Sequence, residues 1–231
     1  MKQTDLPVAP VTGPETMFAA IRKLGVVPFF SNPVSGFSIE DLTPRECWFT
    51  GETLGPWDWK VDVVNSGEIV YGKFLCGGKS AFATIRWYRE LMNWRRAQEK
   101  YRPEGMQRMV VEAIAREGGM TSKQLRSLCG LKKSAMDALM TKLQMATQVV
   151  IGNIERVYNG PTLSYKGWQH ASFCRPDELL DEPVFFFGGK TPHPVRPAAT
   201  ASPEASWEAL AEHIRSLVPD LSEKVLVKLL G

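Results

Sequence analysis

Three observations predict an α+β fold. Between Met106 and Phe173, three short apolar stripes of helical spacing are separated by glycines and followed by two β-type runs around a turn. Upstream, two more β-type runs flank Gly77-Gly78-Lys79, a connection of hairpin length. Downstream, a Pro-, Ala- and Thr-rich stretch sets off a last pair of helical stripes. At 231 residues and 44% hydrophobic content, the chain is large enough for one large or two compact domains.

Taken in order, residues 1–13 lack periodicity and are expected to form a loose arm. Structure is predicted to begin at Gly13-Pro14-Glu15-Thr16, which leads into Met17, Ile21 and Leu24 before Gly25 stops a helix. Residues 26–59 are dense in Pro, Gly, Phe and Trp, which predicts a turn-rich segment packed into the core, with a short helix at Ser38–Leu42 or Pro44–Trp48. Strands are predicted at Glu68–Cys76 and Ser80–Arg86, then a helix over Trp87–Lys100 with Trp87, Leu91 and Trp94 on one stripe. An N-terminal α+β segment, with the hairpin inside it, thus spans 14–104.

Residues 105–175 carry the clearest pattern. Met106, Met109, Val110, Ala113 and Ile114 share a helical face, Gly118-Gly119 ends it, and Thr121-Ser122 caps a second helix with Leu125 and Leu128. In a third helix over Lys132–Met145, Leu131, Ala135, Leu139 and Leu143 define the predicted buried side. At about 100° per residue, Lys133, Ser134, Asp137, Thr141 and Gln144 fall opposite. Val149-Val150-Ile151 and Leu163–Phe173 complete a hairpin turning at Asn159-Gly160-Pro161. Three helices followed by a hairpin predict a winged helix-turn-helix domain. Beyond it come a docking segment (176–189), a linker (190–202) and a helical hairpin tail (203–231), the last too small to be stable alone.

Several function classes are excluded at this level. No apolar run reaches the roughly 18 residues of a membrane span, and the first twenty residues lack a secretory signal, so a cytoplasmic location is expected. Cys47, Cys76, Cys129 and Cys174 form no C-x-x-C pair, and His170, His193 and His213 are equally scattered, so no metal and no cofactor are expected. The run Gly72–Ser80 ends in Gly-Lys-Ser, but Lys73 stands one place out of register for a phosphate loop and a strand follows where a helix is needed, so a hairpin turn is the better reading.

Charge is distributed unevenly beneath a formal net of +3. Residues 119–168 hold Lys123, Arg126, Lys132, Lys133, Lys142, Arg156 and Lys166 against Asp137 and Glu155, a net of +5. Residues 86–110 add Arg86, Arg89, Arg95, Arg96, Lys100, Arg102 and Arg108 against Glu90, Glu99 and Glu104, a net of +4. Two basic segments beside a more acidic remainder are the footprint of a nucleic-acid binder, since phosphate contacts supply most of the affinity. Expected DNA-binding residues are Lys123, Lys132, Lys133, Ser134, Thr141 and Lys142 around the groove-facing helix, Arg156 and Lys166 on the wing, and Arg95 and Arg96 as backbone contacts. In Trp57-Asp58-Trp59, alternation suggests a half-buried strand; the alternative makes Asp58 a general acid or base beside a stacking platform.

The runs PFFSNPVSGFSIEDLTPRECWFTGETLGPWDWK, YGKFLCGGKSAFATI, WYRELMNWRR and TSKQLRSLCGLKKSAMDALMTKLQMATQVVI resemble the AlkZ-related branch of the YcaQ/AlkZ-type winged-helix proteins, over about residues 15–175. The resemblance implies bacterial relatives that are DNA glycosylases, removing alkylated bases with a Gln-x-Gln or Gln-x-Asp pair. Here the sole Gln-x-Asp is Gln3-Thr4-Asp5, ahead of the predicted fold, and no Gln-x-Gln occurs. The expectation is therefore a duplex-DNA-binding relative of those repair enzymes without their catalytic motif. The alternatives are an active glycosylase using other residues, Asp58 among them, and a protein-interaction adaptor. The 203–231 tail would then bind a protein partner or dock on its own chain.

Overall fold

The computed structural model describes residues 6–48, 55–161, 163–177 and 202–231. Its helices are α1 (Pro14–Leu24), α2 (Ile39–Leu42), α3 (Gly55–Asn65), α4 (Ile85–Arg96), α5 (Met106–Glu117), α6 (Ser122–Cys129), α7 (Lys133–Met145), α8 (Pro203–Leu217) and α9 (Glu223–Leu230). The strands are β1 (Val26–Pro28), β2 (Ile69–Leu75), β3 (Lys79–Thr84), β4 (Met120–Thr121), β5 (Val150–Asn159) and β6 (Ser164–Cys174). They form one antiparallel sheet in the order β1-β3-β2-β5-β6-β4, so the fold is mixed α+β.

Local chemistry explains most element ends. Thr16 Oγ1 accepts the Thr12 and Gly13 N–H groups at 2.8 and 2.9 Å, satisfying donors at the start of α1. Gly25 closes that helix at φ 73°, and a Cβ there would lie 2.4 Å from Trp87, so both the backbone and the indole require glycine. Ser38 caps α2 through the Asp41 N–H, while the alternative site for a short helix is a single 3₁₀ turn at Arg45–Cys47. The Gly-Lys-Ser run is a hairpin turn joining β2 to β3, with Gly77 and Gly78 at φ 70° and 101°.

Two sequence expectations are corrected here. The arm over 1–13 is packed from Leu6 onward: Leu6 and Val11 are buried, and the Val11 N–H donates to the Leu42 carbonyl at 2.9 Å. Its apolar side chains find core surface that a local pattern cannot reveal. Residues 57–62 form helix α3 and not a strand. Pro56 suits a first helical turn, where its missing N–H costs nothing. The period-2 alternation misled because α3 is wedged between α1 and β5 and buries residues all round, Asp58 and Lys60 included.

Apolar side chains gather in two clusters. The larger unites Ile21, Phe29, Phe37, Phe74 and Phe82 with Leu210, Ile214, Leu226 and Leu230 of the tail. The smaller holds Val110, Ile114, Leu125, Met136, Met140, Leu143 and Phe173. Ile151 packs against both, and its pairing with Tyr71 joins β5 to β2.

The tail docks on its own chain. Trp207 packs on Trp94 at 4.4 Å, and His213 stacks on Trp87 at 4.0 Å while its Nε2 meets the Leu24 carbonyl at 2.8 Å. Ser206 accepts from Asn93 and donates to Glu90. The stripe predicted on α4 is thus the seat of α8. The docking segment and the linker lie almost wholly outside the described residues; of these, Pro176, Asp177 and Ser202 are seen.

Arg95 connects these parts. It has 0% exposure, and its guanidinium donates to Met145 O at 2.8 Å, Phe74 O at 2.7 Å and Leu230 O. Burial pulls its pKa down to about 10. Replacing Arg95 with Met leaves three carbonyls without that donor, each worth about 1–3 kcal/mol when buried. The expected outcome is a loss of several kcal/mol, read as a lowered midpoint of chemical denaturation; an unchanged midpoint would count against this role. Deleting residues 203–231 should uncover Trp87 and Trp94 and yield a protein that binds a hydrophobic dye and unfolds without a cooperative transition.

Candidate nucleic-acid interface and adjoining cleft

A face with many exposed side chains is built from α6, α7 and the β5–β6 hairpin. Lys132 stands at the N-cap of α7 with Lys133 beginning its first turn, and Ser134, Ala135, Asp137, Ala138 and Lys142 are exposed along the helix. Lys123 is exposed on α6, capped by Thr121 and Gln124, and Lys166 is exposed on β6. None of Lys123, Lys132, Lys133, Lys142 and Lys166 has an ion-pair partner among the described residues. The hairpin also exposes Trp168 and Leu163, each at 70%. Lys142 and Lys100 line one groove with Gln107 and Tyr101, so the two basic stretches of the sequence meet there.

Other predicted contacts are turned inward. On α7 the buried residues are Met136, Met140, Leu143 and Gln144, whereas Ala135 is exposed and Leu139 half-buried, so the core side is rotated from the one read in sequence. Methionine fills the core as leucine does, and a four-residue leucine-alanine ladder hid it. Gln144 is buried because its Oε1 accepts the Lys73 N–H at 2.9 Å and its Nε2 donates to Met140 O. Thr141 is half-buried against the β2–β3 turn; a Cβ on Gly78 would lie 2.5 Å from its Cγ2.

All three arginines predicted to contact DNA have protein partners. Arg95 and Arg96 both donate to carbonyls just past the end of α7 or at its last residue, Met145 and Thr147, where a helix presents unsatisfied acceptors and negative dipole. Arg96 also pairs with Asp177 at 2.9 Å, which holds that carboxyl below its ordinary value despite burial. Arg156 donates to both carboxylate oxygens of Asp58, at 3.0 and 3.2 Å, and to Asp62 at 2.7 Å. Both Asp58 oxygens accept from Arg156, so the carboxylate proposed from sequence as an acid or base is engaged in an ion pair. Gln3 and Asp5 lie outside the described residues.

Beside this face a cleft of about 200 Å³ opens between α3, the sheet, α6 and α7. Trp57, Lys60, Tyr71, Lys73, Asp137 and Gln169 are among its lining residues. The Lys60 amine is 3.7 Å from the Trp57 ring centroid and donates to Trp57 O at 2.8 Å and to Gln169 Oε1. Burial lowers its pKa to about 7, opposed by nearby Asp58 and aided by Arg156. Gln169 is fixed in turn by donating to Trp57 O and to the Tyr165 hydroxyl. Lys60 and Gln169 lie 109 residues apart, so no local spacing could link them. The signal in sequence was a lysine inside an apolar-rich helix, which the strand reading obscured.

Among the described residues no group of three His, Cys, Asp or Glu could hold a metal ion, and no helix is long and apolar enough to cross a membrane. Comparison with curated proteins and with solved structures returns no match. Comparison with protein families matches the AlkZ-related family over residues 11–231, which takes in the exposed lysine face, the cleft and the docked tail. The chain belongs to the AlkZ-related family.

Proposed function

We propose that this protein binds duplex DNA as a relative of the alkyl-base repair glycosylases, with α5, β4, α6, α7, β5 and β6 acting as a winged helix. The element order, helix-strand-helix-helix-strand-strand, supports that reading, with α7 as the groove-facing helix and the β5–β6 hairpin as the wing. One observation carries it: Lys123, Lys132, Lys133, Lys142 and Lys166 are exposed without ion pairs among the described residues, while the arginines nearby are bonded internally. Free lysines release counterions on meeting phosphate, whereas a guanidinium held by carboxylates does not. Ser134 sits beside them on α7, and Lys100 extends the face across the shared groove. Family membership adds the link to DNA repair.

A glycosylase activity is the second reading, favoured by the cleft beside the lysine face. It would draw on Asp137 and the lining amides, since Asp58 is occupied by Arg156. The leading reading keeps DNA binding without base release. An adaptor function is disfavoured, because the apolar face of the tail is covered by α4.

Binding to duplex DNA should weaken steeply with salt. Substituting Lys132 and Lys133 together with Ala is expected to flatten the log–log salt slope by about two units, at roughly 0.9 per phosphate contact. Arg156→Gln should leave the slope unchanged and lower stability instead. A fluorescence titration at several salt concentrations reads both, and salt-independent or absent binding would sink the proposal. Incubating stoichiometric protein with alkylated duplex and assaying for abasic sites should show no base release; release would promote the second reading.

A further inference from the structure

Lys60 is a buried amine for which DNA binding has no use. It is 3% exposed on the α3 wall of the cleft, and no carboxylate pairs with it among the described residues. Asp58 and Asp62, its neighbours on the same helix, are claimed by Arg156. Two carbonyl oxygens, Trp57 O and Gln169 Oε1, hold the nitrogen in place without giving it a counter-ion. The Trp57 ring, 3.7 Å away, and the charge of Asp58 offset only part of the cost of burying the ammonium, so the neutral, nucleophilic amine is within reach near neutral pH. A purely structural role would be met more cheaply by an apolar residue or a paired cation.

From this geometry we propose that Lys60 is an imine-forming amine whose substrate is a sugar aldehyde borne on phosphate, namely the ring-opened deoxyribose left in DNA after base loss. Two features select that aldehyde. Ser122 and Asp137 bring α6 and α7 to the edge of the cleft, and these helices carry Lys123, Lys132 and Lys133, so a duplex lying on the lysine face passes the opening. The cleft, about 200 Å³, has room for roughly six or seven waters, which suits a pentose better than a pentose with its base. The choice of substrate rests on the DNA-binding reading; the reactivity of the amine does not.

The chemistry is redox-neutral. The Lys60 Nζ lone pair attacks the C1′ aldehyde carbon, the carbonyl oxygen gains a proton, and loss of water leaves a protonated imine. The carboxylate of Asp137, which lines the same cleft, takes a C2′ proton. The electron pair released breaks the C3′–O bond and expels the 3′-phosphate. Water then hydrolyses the imine and returns the free amine. Lys73 adds a second cation to the wall for a flanking phosphate.

The full chain, incubated with a duplex carrying one abasic site and reduced with borohydride, should give a covalent adduct that peptide mapping places on Lys60. The groups surrounding that amine are Asp58 and Asp62 on α3, Arg156 on β5, Tyr165 on β6, Lys73 on β2 and Asp137 on α7. With the amine titrating at about 7, trapping should rise about tenfold from pH 6 to pH 8 and then level, whereas an ordinary lysine would climb about a hundredfold without levelling. Lys60→Arg, which keeps the charge, and Lys60→Met should both lose the adduct and still shift the duplex; mapping on the unaltered chain does not depend on how they fold. A shifted duplex with no adduct, or with adduct only on other amines, overturns the inference and leaves DNA binding standing. If no duplex is shifted, the DNA-binding reading fails, and reduction with 2-deoxyribose 5-phosphate decides the amine alone: label on Lys60 sustains it, and its absence overturns it.

Discussion

The guanidinium of Arg95, sealed from solvent on α4, holds together segments from four parts of the chain. Its bonds reach the last residue of α7, the penultimate residue of β2 and the last residue of α9. It acts with the Gln144 bond to the Lys73 N–H, which ties α7 to β2, and with the Cys76 N–H bond to Leu229 O, which ties α9 to the end of β2. A cation suits this position because the carbonyl end of a helix carries negative dipole, and a planar fork can serve several acceptors at once. The face that α7 shows to solvent, and the width of the cleft beneath it, follow from where Arg95 places it.

A second internal cation shapes the cleft. Arg156 on β5 gathers Asp58 and Asp62 of α3, which pins that helix to the sheet and engages both carboxylates. The same ion pair that occupies Asp58 leaves Lys60 without a carboxylate in direct contact among the described residues, while the Asp58 charge still favours its ammonium. The basic residues divide by chemistry: the guanidinia of Arg95, Arg96 and Arg156, able to serve several oxygens, turn inward, while the ammonium groups of Lys132, Lys133 and Lys142, which hydrate readily, stay outside. A sequence-level charge of +4 for residues 86–110 thus overstates what that segment presents to solvent, since Arg95 is buried and Arg96 paired.

Much of the scaffold was legible before any coordinates. The hairpin at Gly77-Gly78, the end of α1 at Gly25 and the three helices with their following hairpin all lie where spacing and turn chemistry put them. These are local signals, set by backbone conformations that few residues tolerate. The errors arose where partners come from far away. Strand alternation in residues 57–62 is the trace of a helix buried on most sides, residues 6–13 are packed because Leu6 and Val11 find a distant core, and the buried side of α7 is turned toward Met136 and Met140 by β2.

By itself, then, the amino-acid sequence determined the mixed α+β class, the β2–β3 hairpin, the helical character of the tail and the position of the lysine-rich helices. Each of these depends on periodicity, caps and turns within a dozen residues. Only the tertiary structure decided which lysines are exposed, that Asp58 is paired with Arg156, that the tail covers the Trp87 and Trp94 stripe, and that Lys60 lines a cleft with no carboxylate pair among the described residues. The physical reason is that ionisation and availability depend on burial and on partners about 50 to 190 residues away, contacts that exist only once the chain has closed on itself.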